Sequence, residues 1–159
     1  MVHPKPTLVL VPGLMCDATA WGAVPSGLPG WDCRVVDHGQ ADSLVQMAEQ
    51  LLSDAPARFA LAGHSMGGRV ALEVMRIAPE RVTHLGLFDT GHLPKPAGQA
   101  GEEEVLKRMA LLAIAREQGV RAMASEWVKG MVAPHRLADQ PLIESILTMF
   151  ERKSADIFE

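Results

Sequence analysis

No stretch of this sequence comes near the roughly 18 consecutive apolar residues that a membrane-spanning helix needs. The longest candidate, Thr7-Leu8-Val9-Leu10-Val11, has only the length of a strand. There is no basic tract, and the formal net charge is −4, which makes nucleic acid and anionic membrane surfaces poor partners. Cysteine is scarce: Cys16 and Cys33 are the only two. Two ordinary thiols of a reducing compartment fit better than a disulfide. Neither forms a metal-ligand pattern with a histidine, so a structural zinc site is not expected. The opening residues Met1-Val2-His3-Pro4-Lys5-Pro6 lack the long apolar region of a secretory signal. The resulting expectation is a cytoplasmic chain without a membrane span, a metal or a cofactor.

What is present suits one globular domain. The chain has 159 residues, 48% hydrophobic and 21% charged. A domain of this size buries roughly two thirds of its unfolded surface, enough for a real core. Residues 7–11 are apolar at every position, the pattern of a strand buried on both faces of a parallel sheet. A loop with a short helix follows from Asp17 to about Leu28, broken by Pro25 and Gly27. Further strands are predicted at 33–36, 59–62 and 82–88. Asp42 and Ser43 can cap a helix reaching about Ser53, with Leu44, Met47, Ala48, Leu51 and Leu52 at helical spacing. A second helix is predicted from Met66 to about Ala78, with Val70, Val74 and Ile77 in one stripe and Arg69 one turn from Glu73.

The resulting alternation of strand and helix implies a parallel sheet of about four strands with helices on both faces. After Pro94 and Pro96 only helices are predicted, at about 102–118, 120–131 and 141–150. Glu102, Glu103 and Glu104 suit the first turn of the long one, and Glu103–Lys107 and Glu104–Arg108 are spaced to pair. The expected division is a core at 1–93 and a helical region at 94–159.

The chemistry sits between the third strand and its helix, where Gly63-His64-Ser65-Met66-Gly67 fits the pattern G-x-S-x-G of a nucleophile elbow. A strand that turns sharply into a helix can carry a serine at its apex. Side chains at Gly63 and Gly67 would collide where strand and helix meet. The apex then lies at the positive end of the helix, which favours developing negative charge. The short motif is weak alone. Its place directly after an apolar strand and before an amphipathic helix strengthens it, and Gly68 allows close helix packing. An oxyanion hole needs two backbone N–H groups: Met66, after the nucleophile, is one candidate and Leu14, in Pro12-Gly13-Leu14 after the first strand, is the other.

The runs Leu8-Val9-Leu10-Val11-Pro12-Gly13-Leu14, Trp21, and Ala60-Leu61-Ala62-Gly63-His64-Ser65-Met66-Gly67-Gly68 resemble proteins of the α/β-hydrolase fold. So do Ala78-Pro79-Glu80-Arg81-Val82 and Leu85-Gly86-Leu87-Phe88-Asp89-Thr90. Many members have His-Gly where this chain has Pro12-Gly13. The resemblance spans residues 7–90, and the helices beyond Pro94 look like the cap inserted over the active site in many members. It implies a serine hydrolase that forms an acyl-enzyme on an ester, thioester or similar acyl bond of a small-molecule substrate. Other members are acyltransferases, C–C bond hydrolases and cofactor-free haloperoxidases, and the shared motif does not choose among them.

The family supplies its triad in the order serine, acid, histidine, with the histidine after the last strand. No strand is predicted after Phe88, and the sequence ends at Glu159 within the helical region, so the resemblance implies a chain truncated before its catalytic histidine. Asp89, at the end of the fourth strand, has two readings: the acid of the triad, or a loop residue capping the next segment. His64 is expected to pack locally because neighbours at an elbow point in different directions. His84 lies within a strand, His3 near the N-terminus and His135 among the later helices. His38 and His92 follow strands and could reach the same edge, but a structural role suits each histidine better. The contrasting reading is a non-catalytic module that binds an acyl-like ligand or a partner. The fourth strand is expected to be an exposed apolar edge that favours self-association.

Overall fold

A computed structural model describes residues 4–159. The chain divides into two compact units, Met1–His92 and Leu93–Glu159. His3 lies outside the described residues.

The first unit is built on β1 (Thr7–Val11), β2 (Asp32–Val35), β3 (Phe59–His64) and β4 (Val82–Phe88). All four are parallel, in the order β2-β1-β3-β4. The predicted strands are present with small shifts. β2 starts one residue early, and Val36 beyond its end still donates its N–H to the Leu10 carbonyl at 2.9 Å. β3 runs two residues further than predicted and so carries the ladder to the residue before Ser65. Ala60 to Ala62 continue into Gly63 and His64, which pair with Leu87 and Phe88 of β4. Glycine and histidine are weak strand signals, and here the tertiary ladder decides.

Alternation along the strands divides the sheet into two faces. Val9, Val11, Phe59 and Leu61 pack against Met47, Ala48 and Leu51 of α2 (Leu44–Asp54) and Val70, Ala71 and Val74 of α3 (Met66–Ile77). On the other face Leu10 and Ala62 pack with Trp21, from the 3-10 turn Ala18–Trp21, beside Leu8, Cys33 and Val35. A one-turn helix, α1 (Val24–Gly27), follows that turn. Ser43 caps α2, accepting the Gln46 N–H at 3.2 Å. On α3 the buried arc is Val70, Ala71 and Val74, and Ile77 is exposed, contrary to the predicted stripe. The first turn of α3 abuts the strand ends through Gly67 and Gly68, which centres the sheet-facing arc on residues 67–74. Glu73 pairs with Arg76 at 2.6 Å rather than with Arg69, and this hydrogen bond holds the Glu73 carboxyl below its usual value.

The strand order also sets the place for a ligand. From β1 the chain leads to β2 on one side, whereas from β3 it leads to β4 on the other. The carboxyl ends of β1 and β3 therefore flank the point where the winding reverses, and crevices in open α/β sheets form at that point.

The second unit is helical: α4 (Gln99–Gln118), α5 (Val120–Met131), α6 (Gln140–Glu151) and α7 (Ala155–Phe158), with a 3-10 turn at Pro134–Arg136. α4 begins a turn earlier than predicted, and the Gln99 side chain donates to Glu103 at 2.9 Å, the partner expected to be Lys107. Glu104 and Arg108 do pair, at 3.3 Å. Leu112, Met123, Val128, Leu147, Met149 and Phe150 are buried. Trp127 stacks against Phe150 and Phe158 with ring centres 5.4 and 5.0 Å away. Met109 and Met131 stay exposed. Arg121 of α5 reaches Glu144 and Glu151 of α6. Among the described residues no helix is long and apolar enough to cross a membrane.

Candidate active site

Ser65 stands between β3 and α3 with φ 54° and ψ −120°. A non-glycine residue rarely adopts such a backbone, which costs about 1–3 kcal/mol and persists only where surrounding contacts enforce it. Those contacts are visible. The Ser65 N–H donates to the Phe88 carbonyl at 2.9 Å, at the end of the neighbouring strand. The Ser65 carbonyl accepts the Thr90 hydroxyl at 2.7 Å and the N–H of Gly68 at 3.0 Å. Both sides of the apex residue are thus tied down, and the side chain is presented to solvent.

Glycine at the flanking positions is required by space. A β-carbon on Gly63 would lie 2.3 Å from the Gly67 carbonyl oxygen, and one on Gly67 would lie 2.2 Å from the Val11 carbonyl oxygen. On Gly68 it would lie 2.6 Å from the Thr90 side chain. The first turn of α3 therefore sits directly on the ends of β1 and β3. The N–H groups of that turn surround Ser65 with the positive end of the helix.

The segment after β1 closes on the same spot. A β-carbon on Gly13 would be 3.2 Å from the Ser65 β-carbon and 3.3 Å from His64 Nδ1. Cys16 donates to the Gly13 carbonyl at 3.1 Å, a turn around Leu14 and Met15 in which Met15 takes φ 63°. The N–H groups of Leu14 and Met66 donate to no backbone acceptor among the described residues. Met66 opens α3, where an N–H has no partner within the helix. A third non-glycine positive φ, 44°, falls at Asp89 just past β4. Met15, Ser65 and Asp89 all lie beyond the carboxyl ends of strands, and local strain clusters at such functional edges.

A search of protein-family models finds none that matches the chain. A pimeloyl-[acyl-carrier protein] methyl ester esterase of Nitrosomonas europaea is 36% identical over 91 residues, covering 52% of this chain and 36% of that protein. The chain thus spans about a third of the length of this curated relative. Among solved structures, the enol-lactonase of Burkholderia xenovorans superposes with a TM-score of 0.79 at 19% identity, over 98% of this chain and 63% of that one. A thermophilic esterase of Thermogutta terrifontis superposes with a TM-score of 0.74 at 23% identity, over 99% and 62%. The chain has the α/β-hydrolase fold.

Within this fold the sequence-predicted residues fall into two groups. Ser65, Gly63, Gly67, Met66 and the loop with Gly13 and Leu14 meet at the ends of β1 and β3. Asp89 lies one strand over, at the end of β4, with its side chain exposed. The histidines do not gather on Ser65. The His64 ring lies toward Gly13, with Nδ1 buried and without a hydrogen-bond partner. His84 stacks edge-on against Trp31 with ring centres 6.4 Å apart. It sits four residues before Phe88, roughly 13 Å down the strand. His92 follows Thr90 and is exposed, His38 follows β2, and His135 is in the helical unit. Among the described residues no histidine hydrogen-bonds to Ser65 or Asp89. Sequence reasoning did not single out Thr90 or Phe88, which hold the apex from β4. Their only sequence signal was membership of the family-like run ending Phe88-Asp89-Thr90.

Proposed function

We propose that Ser65 is the nucleophile of a serine hydrolase acting on an ester, thioester or similar acyl bond. The observation that carries the reading is the strained backbone of Ser65 at the positive end of α3, against the Gly13–Leu14 loop. In this reading Ser65 Oγ attacks the substrate carbonyl. The oxyanion accepts the N–H groups of Leu14 and Met66, each worth about 3–4 kcal/mol in the transition state. The leaving group departs with a proton, the acyl group stays on Ser65, and water releases it as the acid. The esterase names of the relatives support a carboxylic ester as the first substrate class to test.

A serine hydroxyl is a poor nucleophile until a base takes its proton. The described residues bring no histidine onto Ser65, so weak turnover is expected of these 159 residues alone. We assign Asp89 as candidate acid of the triad and residues 94–159 as the cap or lid region.

Labelling of the purified chain with a fluorophosphonate probe, beside Ser65→Ala, tests the reading. Labelling that disappears in the variant supports Ser65 as an activated nucleophile. A folded chain that takes no label supports a non-catalytic binding module, and a variant that labels as well as the wild type places the label on another residue and overturns the assignment of Ser65.

A further inference from the structure

The Thr90 hydroxyl and the proposed oxyanion donor grip opposite ends of one peptide unit. The carbonyl of Ser65 and the N–H of Met66 belong to the same planar amide, and in a trans peptide they point in opposite directions. Thr90 Oγ1 donates to that carbonyl at 2.7 Å. The carbonyl also receives the N–H of Gly68 at 3.0 Å and of Arg69 at 3.4 Å, the first bonds of α3. The Thr90 side chain is seated against Gly68, where a β-carbon would be 2.6 Å away, so its hydroxyl has little freedom to turn elsewhere. Gly68 thereby has a second reason to be glycine besides helix packing.

We propose that Thr90 is a positioning residue for the oxyanion hole, acting through the 65–66 peptide. Its hydrogen bond fixes the plane of that peptide and hence the direction of the Met66 N–H. Donation to the carbonyl also draws electron density from the amide nitrogen, and hydrogen bonds in such a chain strengthen one another. The Met66 N–H is thus both aimed and made a better donor. The positive φ of Asp89 lets the chain turn after β4 so that Thr90 faces Ser65. The inference rests on the nucleophile reading of Ser65, but the clamp on the 65–66 peptide is measurable without it.

The test compares Thr90→Val, which keeps the branched shape and loses the donor, with Thr90→Ser, which keeps the hydroxyl. Thr90→Ala is a second donor-free variant in case Val does not fold. Two readouts are taken on the full chain: the second-order rate of fluorophosphonate labelling, and the NMR signals of the Ser65 carbonyl carbon and Met66 amide. Removing an oxyanion donor outright costs about 10²–10³-fold, so loss of its support is expected to slow labelling about 10-fold. The Ser65 and Met66 signals should shift in Thr90→Val and return in Thr90→Ser together with most of the rate. Val labelling at the wild-type rate with unmoved signals overturns the proposal, and so does a Ser variant as impaired as Val. If the wild type takes no label while the signals shift in Val alone, the nucleophile reading fails and the clamp stands. Unmoved signals in an unlabelled chain overturn both.

Discussion

Gly13 lies against Ser65 so closely that a β-carbon added to Gly13 would sit 3.2 Å from the Ser65 β-carbon. That contact is tight but not prohibitive, and a shift of a few tenths of an ångström would relieve it. The cost should fall on the site rather than on the fold, because reacting geometry tolerates little: a misplacement of about 1 Å costs roughly 100-fold. Gly13→Ala is expected to lower the rate of Ser65 labelling about 10-fold. Stability should fall by only about 1 kcal/mol. Labelling kinetics measured beside thermal melting separate the two.

Gly67→Ala should do the reverse damage. The added carbon would lie 2.2 Å from the Val11 carbonyl oxygen and 2.5 Å from that of Pro12, both backbone atoms of the central strand end. Neither can rotate away, so α3 must lift off the sheet that buries Val70, Ala71 and Val74. We expect a loss of about 3 kcal/mol or more in urea unfolding. A midpoint within error of the wild type would mean that α3 does not press on β1.

These two glycines show where the sequence was legible. G-x-S-x-G named the elbow, and an apolar run on each side placed it between a strand and a helix, because both are local patterns. That the strands are parallel followed from the crossover helices, whereas the order β2-β1-β3-β4 and the reversal between β1 and β3 depend on pairing between distant segments and were not legible. Thr90 was not legible: its hydrogen bond joins residues 25 positions apart, and no spacing rule marks which residue past a strand end will touch a neighbour's apex. Glu73 was misassigned for a related reason, since Arg69 and Arg76 both lie within a turn and side-chain packing chooses between them. Ile77 kept helical spacing but fell off the buried arc because Gly67 and Gly68 rotate the contact toward the N-terminus of α3.

Arg81 binds the end of α2 to the start of β4. Its guanidinium donates to the carbonyls of Leu52, Ala55 and Pro56, each at 2.9 Å, and lies 5.7 Å from the centre of the Phe59 ring. Terminal carbonyls of a helix lack partners, and a planar fork can serve three where an ammonium cannot. Arg81→Met should cost about 2 kcal/mol in chemical denaturation, with Arg81→Lys recovering only part of it. Full recovery by lysine would show that charge alone, not the fork, matters.

Among the described residues β4 is an edge strand of the sheet, and Leu85, Leu87 and Phe88 on it are exposed. Such an edge is a template for pairing with another chain. We expect the 159-residue chain to self-associate with rising concentration in sedimentation velocity, and Leu87→Lys to shift it toward monomer. A wild type that stays monodisperse at high concentration would sink this expectation.

In the helical unit, Asp139 couples stability to acid. It caps α6, accepting the Leu142 N–H at 3.1 Å, and pairs with Arg136 at 2.7 Å. The Arg136 hydrogen bond first, and the Leu142 N–H second, hold its carboxyl below the ordinary aspartate value. A carboxyl with a folded value below its unfolded one binds fewer protons when folded. Its contribution is therefore complete above the unfolded value of about 3.9 and lost as pH falls through the lower folded value. Asp139→Asn keeps a capping oxygen but removes the charge. The melting temperature of the wild type should exceed that of Asp139→Asn by a constant margin from about pH 7 to 5, and the margin should close below about pH 4. Melts of both proteins across that range, at low salt so that an exposed pair is not screened, measure it. A margin that persists undiminished at about pH 2 would assign the difference to the geometry of the cap rather than to its charge.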